Sequence, residues 1–245
     1  MDQLSFTSTD TAGAASTPRL NLYGGIHKAL RYCMSHTLLQ LGQADAADRK
    51  ELGLALDQAH HLLELCTAHI EKENHYLHPA LERAAPGSSG QIGGEHEAHE
   101  QTIAALYRQI DAVAAAAPAG QPLLLETLYR RVALFVAENF EHMHYEETEH
   151  NAVLWAHYTD VELMQIHDAI VASIPPEVMM PLMRWMLPAL NGTERVDLLQ
   201  GMQAQAPAPA FAAVLDLARR TLDGAAWSRV RQALGTPPVL QPLAA

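Results

Sequence analysis

Twice in this chain a histidine is followed four residues later by a glutamate, at positions where a packed helix calls for apolar side chains: His69 with Glu73, and His142 with Glu146. On an α-helix such a pair lies about one turn apart on one face. Around the first pair, Leu52, Ala55, Ala59, Leu62, Cys66, His69, Glu73, Tyr76 and Ala80 recur at steps of three and four. Around the second, Leu128, Val132, Phe135, Asn139, His142 and Glu146 do the same. Those steps mark the seam of a helix that packs along its length. A buried carboxylate costs several kcal/mol unless it is paired or bound to metal, and no Lys or Arg holds a neighbouring seam position. An imidazole and a carboxylate one turn apart, presented twice, are what a helical bundle needs to hold a pair of metal ions.

The periodicity predicts four long helices. The first spans about Leu22 to Leu41, with His27, Leu30, Met34, Leu38 and Leu41 on its stripe and Gly42 as the residue that stops it. The second runs from Asp45 to about Arg83, and Pro86 to Gly94 reads as a loop. The third continues to about Ala116 on the stripe His96, His99, Ile103, Leu106, Ile110. Pro118 to Pro122 breaks the chain again, and the fourth begins near Leu123. Nothing alternates as a strand does. The fold class is all-α, an antiparallel up-down four-helix bundle with a C-terminal helical extension.

Past His150 the pattern changes. Thr159-Asp-Val-Glu162 is a capping-box spelling that opens a helix to about Ser173. After Pro175-Pro176 comes a helix carrying Met179, Met180, Met183 and Met186, which reads as packing. Asn191-Gly-Thr, Ala206-Pro-Ala-Pro209 and Gly224 then punctuate two or three shorter helices. The expected organisation is a disordered tail over 1–20, the bundle over 21–155, the extension over 156–238 and a loose tail over 239–245. The three tryptophans and the methionines past His150 fit a packed subdomain, either a homodimer surface or an internal cap on the bundle.

Histidine is the one unusual component: 14 in all, twelve of them between His27 and His150. The two cysteines, Cys33 and Cys66, lie in predicted helix interiors and offer neither a disulfide framework nor a thiolate site, as befits a reducing, cytoplasmic setting. A formal charge of -12 argues against nucleic acid and anionic membrane as partners. No apolar run reaches the length of a membrane span, and the first twenty residues lack the apolar core of a signal peptide. Two bridging carboxylates with four or five imidazoles would satisfy two divalent cations. Nitrogen and oxygen donors without sulfur suit iron, manganese or zinc better than copper(I) or a cluster, while calcium and magnesium would want more oxygens. His60, His61, His75, His78 and His144 point off the seam, His36 sits at its edge, and His150 falls at the bundle end. The Glu-x-x-His order of ferritin-like di-iron bundles occurs on the fourth helix but not on the second.

At Ile26 to Arg31, His69 to Pro79, Glu95 to His99 and His142 to Glu147, the chain resembles the hemerythrin-like, HHE cation-binding family over about residues 22 to 155. The resemblance implies a non-haem di-iron centre bridged by oxygen and by two glutamates. Carried over by position, it makes His27, His69, His96 or His99, and His142 terminal ligands, and Glu73 and Glu146 the bridges. The small ligand it implies is a diatomic, oxygen or nitric oxide. The oxygen-carrying hemerythrins are similar but space two histidines by four on the third helix and end with His and Asp on the fourth. This chain is closer to the branch of iron–sulfur repair proteins and iron- or oxygen-sensing domains, although residues 1–26 lack the cysteine those repair proteins carry. Between the two third-helix candidates, symmetry favours His99: His27 precedes His69 by 42 residues, and His99 precedes His142 by 43. Three function classes follow: a diatomic-binding or sensing protein, a di-iron oxidase or iron-donating repair enzyme, and a structural zinc or manganese bundle serving as an interaction module.

Overall fold

Asn21 starts the first helix. Its Oδ1 accepts from the backbone N–H of Tyr23 and of Gly24, each at 3.0 Å, and α1 follows over Gly24–Gln43. The computed structural model describes residues 19–235; of the expected tails, residues 1–18 and 239–245 lie outside the described residues. Asp48 caps α2, Arg49–Lys72, by accepting from Lys50 and Glu51 N–H at 2.8 and 3.1 Å, a contact that contributes about 1 kcal/mol. The chain continues through a π turn, Glu73–Leu77, into α3, His78–Ala84. Gly87, at a φ of 89°, takes the left-handed turn that an L side chain would resist. α4, Gly90–Ala115, and α5, Gln121–Tyr145, follow. A second π turn, Glu146–His150, leads into α6, Asn151–His157. The described residues are all-helical, without a strand.

Each of α1 and α4 packs against both α2 and α5, so the four long helices close a ring. Their directions follow from who meets whom. Gln58, early in α2, donates to Thr37, late in α1, whereas His27, early in α1, lies beside His69, late in α2. Gln121 at the start of α5 donates to the carbonyl of Val113 near the end of α4. The starts of α1 and α4 therefore meet the ends of α2 and α5, and all the seam histidines and glutamates gather there. The rest of the interior is apolar: Leu30, Met34, Leu41, Ala55, Leu62, Leu106, Leu128 and Phe135 among others. A side chain of this kind, fully buried, contributes about 2 kcal/mol.

The remaining helices are α7, Asp160–Ala172, α8, Pro176–Ala189, α9, Gly192–Gln205, α10, Ala208–Thr221, and α11, Gly224–Ala233. Thr159 and Glu162 form the capping box expected for α7, and Asn191 with Glu194 forms another on α9. α8 lies along α1, and its Leu182 and Trp185 join the main core. Met183 is buried in a second core with Leu187, Leu199, Val214 and Val230, against which Met179, Met180 and Met186 pack. α7 packs on the first π turn, and Leu163 joins Tyr23, Leu77, Leu81 and Leu154 in a small apolar layer over that end of the ring. Arg19 is tied down there too, bridging Asp160 and the carbonyls of Trp155 and Tyr158. Among the described residues no helix is long and apolar enough to cross a membrane.

Three local expectations need correcting. Gly42 does not stop α1; its Cα faces the Tyr129 ring, where an added Cβ would lie 3.1 Å from the ring, and the helix runs one residue past it. The expected loop at Pro86 to Gly94 ends early: α4 starts at Gly90, because Ile92 buries fully and draws the polar, glycine-rich stretch into the helix. The second helix is not continuous to Arg83, since the π turn interrupts its hydrogen-bond register.

Candidate metal centre

Six side chains from the four ring helices converge at this end. His27, Glu73, His96, His142 and Glu146 are buried, between 0% and 3% exposed, and the side chain of His69 is 10% exposed. They fall into two groups, each with donor atoms within 4.8 Å of one another: His27, His69, Glu73, Glu146 and Glu73, His96, His142, Glu146. Both glutamates belong to both groups. Each also divides its oxygens between them. Glu73 Oε1 lies 3.2 Å from His69 Nε2 and 3.7 Å from His27 Nε2, while its Oε2 lies 3.4 Å from His96 Nε2. Glu146 Oε2 lies 3.4 Å from His27 Nε2, and its Oε1 3.5 Å from His142 Nε2.

Those separations are too long for good hydrogen bonds to a carboxylate. Accordingly both oxygens of both glutamates, with His27 Nε2 and His69 Nε2, are buried without a hydrogen-bond partner. They are, however, the separations that a cation imposes: atoms about 2.1 Å from a common ion lie about 3.0 to 3.4 Å apart in octahedral or tetrahedral arrangement. The donor set thus fits two ions that share two carboxylates, with two imidazoles apiece. His96 and His142 Nε2 atoms, only 3.1 Å apart, face each other as two ligands of one ion do.

The opposite ring nitrogens are anchored. His27 Nδ1 donates to Glu147 Oε1 at 3.0 Å, and Arg31 grips both oxygens of Glu147. His142 Nδ1 donates to Glu95 Oε2 at 2.8 Å, and His96 Nδ1 to Asn74 Oδ1 at 2.7 Å. A proton on Nδ1 leaves the Nε2 lone pair for a metal and fixes the ring plane. Asn74 and Glu147 each directly follow a shared glutamate, so the two helix pairs repeat one design.

Without metal the electrostatics are strained. Burial, then the neighbouring Glu146 charge, raises Glu73 to about 8, above the ordinary 4.5. Burial opposes charge on His27, but the surrounding carboxylates of Glu146, Glu147 and Glu73 prevail and lift it to about 10. Burial, then the proximity of His142, holds His96 down at about 3. The metal-free centre thus retains protons on Glu73 and His27 that two cations would replace.

His99 is buried but belongs to neither group; its ring packs against His142 and Phe135, and His96 occupies the place that symmetry had favoured for His99. His60, His75 and His144 face solvent, as expected of off-seam residues, and His61 is half-buried. His78 departs from that reading, and His150, expected at the bundle end, lies inside it. His150 is fully buried, and the Nε2 of His78 points inwards. His150, four residues after Glu146, reaches that face by the ordinary helical period; for His78 the cause is a π turn, in which an N–H group reaches back five residues, from His78 to Glu73, as Asn151 does to Glu146. A turn of that width carries residue i+5 to the face of residue i. Pro79 is the one sequence signal, for it lacks an N–H and its ring crowds the carbonyl four residues back, disfavouring a regular α-turn. The second π turn has no such proline. The chain matches no protein-family model, no curated protein and no solved structure.

Proposed function

We propose that this chain is a hemerythrin-like antiparallel up-down four-helix bundle whose non-haem di-iron centre binds or senses a small diatomic, oxygen or nitric oxide. The observation that carries the reading is the sharing of Glu73 and Glu146, each with one oxygen toward either pair of histidines. His27 and His69 would hold one ion, His96 and His142 the other. Manganese and zinc accept the same donors, but structural zinc favours closed four-coordinate sites, and helix bundles hold iron or manganese in their carboxylate-rich two-metal centres. Bound iron would supply reversible electron exchange with a diatomic. The protein supplies dryness, ring orientation through Glu147, Glu95 and Asn74, and a link outward: α7 rests on the π turn that carries Glu73. That contact supports sensing, because a change at Glu73 would move the turn against which α7 packs.

The test is to load the protein anaerobically with ferrous iron and expose it separately to oxygen and to nitric oxide, following absorption. A persistent adduct supports binding or sensing, and catalytic loss of the oxidant supports the oxidase alternative. No spectral change with either gas, with one zinc bound per chain, would leave only the structural interaction module.

A further inference from the structure

A third set of buried polar side chains lies against the centre without belonging to its donor groups. Tyr23, His150 and Asn151 are between 0% and 1% exposed, and His78 is half-buried. The Tyr23 ring packs 5.2 Å from His27, on one side of the centre. His78 stacks on His96, on the other, at 4.9 Å with planes 3° apart. His150 lies between them, 6.2 Å from Tyr23 and 6.0 Å from His78, nearly perpendicular to the latter. The set therefore crosses the centre from one pair of histidines to the other.

Its hydrogen bonding is half complete. Tyr23 Oη lies 3.2 Å from His150 Nδ1, and Asn151 donates to Asn21 Oδ1 and to the Glu147 carbonyl. Asn21 is also the cap of α1, so the helix start bearing Tyr23 is tied to Asn151. Yet His78 Nε2, His150 Nε2 and Asn151 Oδ1 are buried with no hydrogen-bond partner. Buried polar atoms of folded proteins nearly always have one. Three beside a single centre, those of His78 and Asn151 five residues past the starts of the two π turns, leave unmet hydrogen-bonding capacity at its edge. With Tyr23 donating to Nδ1, the neutral His150 ring carries its proton on Nε2 and becomes a donor toward that space.

We propose that His78 and His150, with Tyr23 fixing the His150 tautomer, form a hydrogen-bonding pocket for the ligand of the metal centre, suited to a species of two or three atoms with proton-accepting oxygen or nitrogen, while Asn151 Oδ1, an acceptor, is left for a proton that the ligand itself carries. The proposal rests on the di-iron reading above. Such a pocket stabilises ligands on which negative charge accumulates, and so sets which small molecules the centre retains.

The test uses the full chain, loaded with iron, oxidised and titrated with sodium azide, with the azide-to-iron charge-transfer absorption as readout. His78→Leu should weaken azide binding about tenfold to a hundredfold, as loss of a hydrogen bond to a charged ligand does, and Tyr23→Phe, which releases the His150 tautomer, should weaken it in the same direction, with two irons per chain and helical circular dichroism retained. His75→Gln, on the solvent face, should leave the affinity unchanged. His78 is half-buried, so its variant keeps the test intact if Tyr23→Phe fails to fold. Unchanged azide affinity in the iron-replete variants, or no azide band in the iron-loaded wild type, would overturn the pocket while leaving the di-iron reading in place. Loss of iron on Tyr23→Phe would make Tyr23 a part of the metal site and also overturn the pocket. A wild type that takes up no pair of irons would overturn both.

Discussion

Replacing Glu73 with Gln should make the metal-free protein more stable and the metal-bound protein less so. Gln has nearly the shape of a protonated glutamate and cannot ionise. In the metal-free fold, Glu73 keeps its proton until about pH 8, whereas its ordinary value is 4.5. Between those limits the folded state binds the extra proton, so stability contributed by this group falls as pH rises. A window of about 3.5 pH units at about 1.4 kcal/mol per unit sets the limiting cost at about 5 kcal/mol, of which about 4 kcal/mol is reached at pH 8, where the group is half ionised. The group is fully buried, so little of this is lost to solvent screening. Gln at position 73 escapes that cost: the difference between variant and wild type should grow from near zero at pH 4.5 to about 4 kcal/mol at pH 8. For a chain of this length that corresponds to a melting point raised by roughly 8 to 16 °C. His96 and His99, held down at about 3 and 4 chiefly by burial, destabilise both proteins in acid and cancel in the comparison. With metal the order should reverse, since a bridge to both ions has lost its charge. The assay is thermal melting by circular dichroism from pH 5 to 8, in chelator and then in saturating ferrous iron. A metal-free variant less stable than wild type at pH 8, or a metal-loaded variant as stable as wild type with full metal, would refute the reasoning.

Loading should also release protons: at pH 7 about two per chain leave Glu73 and His27, so affinity rises with pH, and titration calorimetry in buffers of different ionisation enthalpy should count them. Glu147→Ala frees the His27 ring and strands Arg31; metal affinity should drop about tenfold to a hundredfold, measured by competition with a chromophoric chelator. Ile92→Ala, where a loop was expected, should cost about 3 kcal/mol in denaturant melts because the side chain is fully buried, whereas the exposed Gln91→Ala should change little.

What was legible in the sequence was whatever obeys the α-helical period. His27, His69, Glu73, His142 and Glu146 all occupy steps of three and four on apolar stripes, and the fold brings those five together with His96. The cap at Thr159 was legible because side-chain type and position specify it, whereas the second helix, expected from Asp45, starts at Arg49 with Asp48 as its cap. The choice between His96 and His99 was not: both lie on the stripe, and only the offset of α4 against α5, set by contacts distant in sequence, puts His96 Nε2 opposite His142 Nε2. His78 was read as lying off the seam because that reading applied a 3.6-residue turn across Glu73, whereas His150, four residues after Glu146, was placed one turn beyond it at the bundle end, where it lies buried. The backbone widens at Glu73 and Glu146, and the register beyond each shifts by about one position. Gly42 and Gly90 misled in the other direction, since a glycine in a helix can answer a packing need as well as a turn.

The most direct test of the centre is an anomalous-difference map from a crystal of the iron-loaded protein, with data collected at the iron absorption edge. Two peaks per chain are expected, one beside His27 and His69, the other beside His96 and His142, each in contact with both Glu73 and Glu146. A single peak, or peaks that leave either glutamate uncoordinated, would contradict the account.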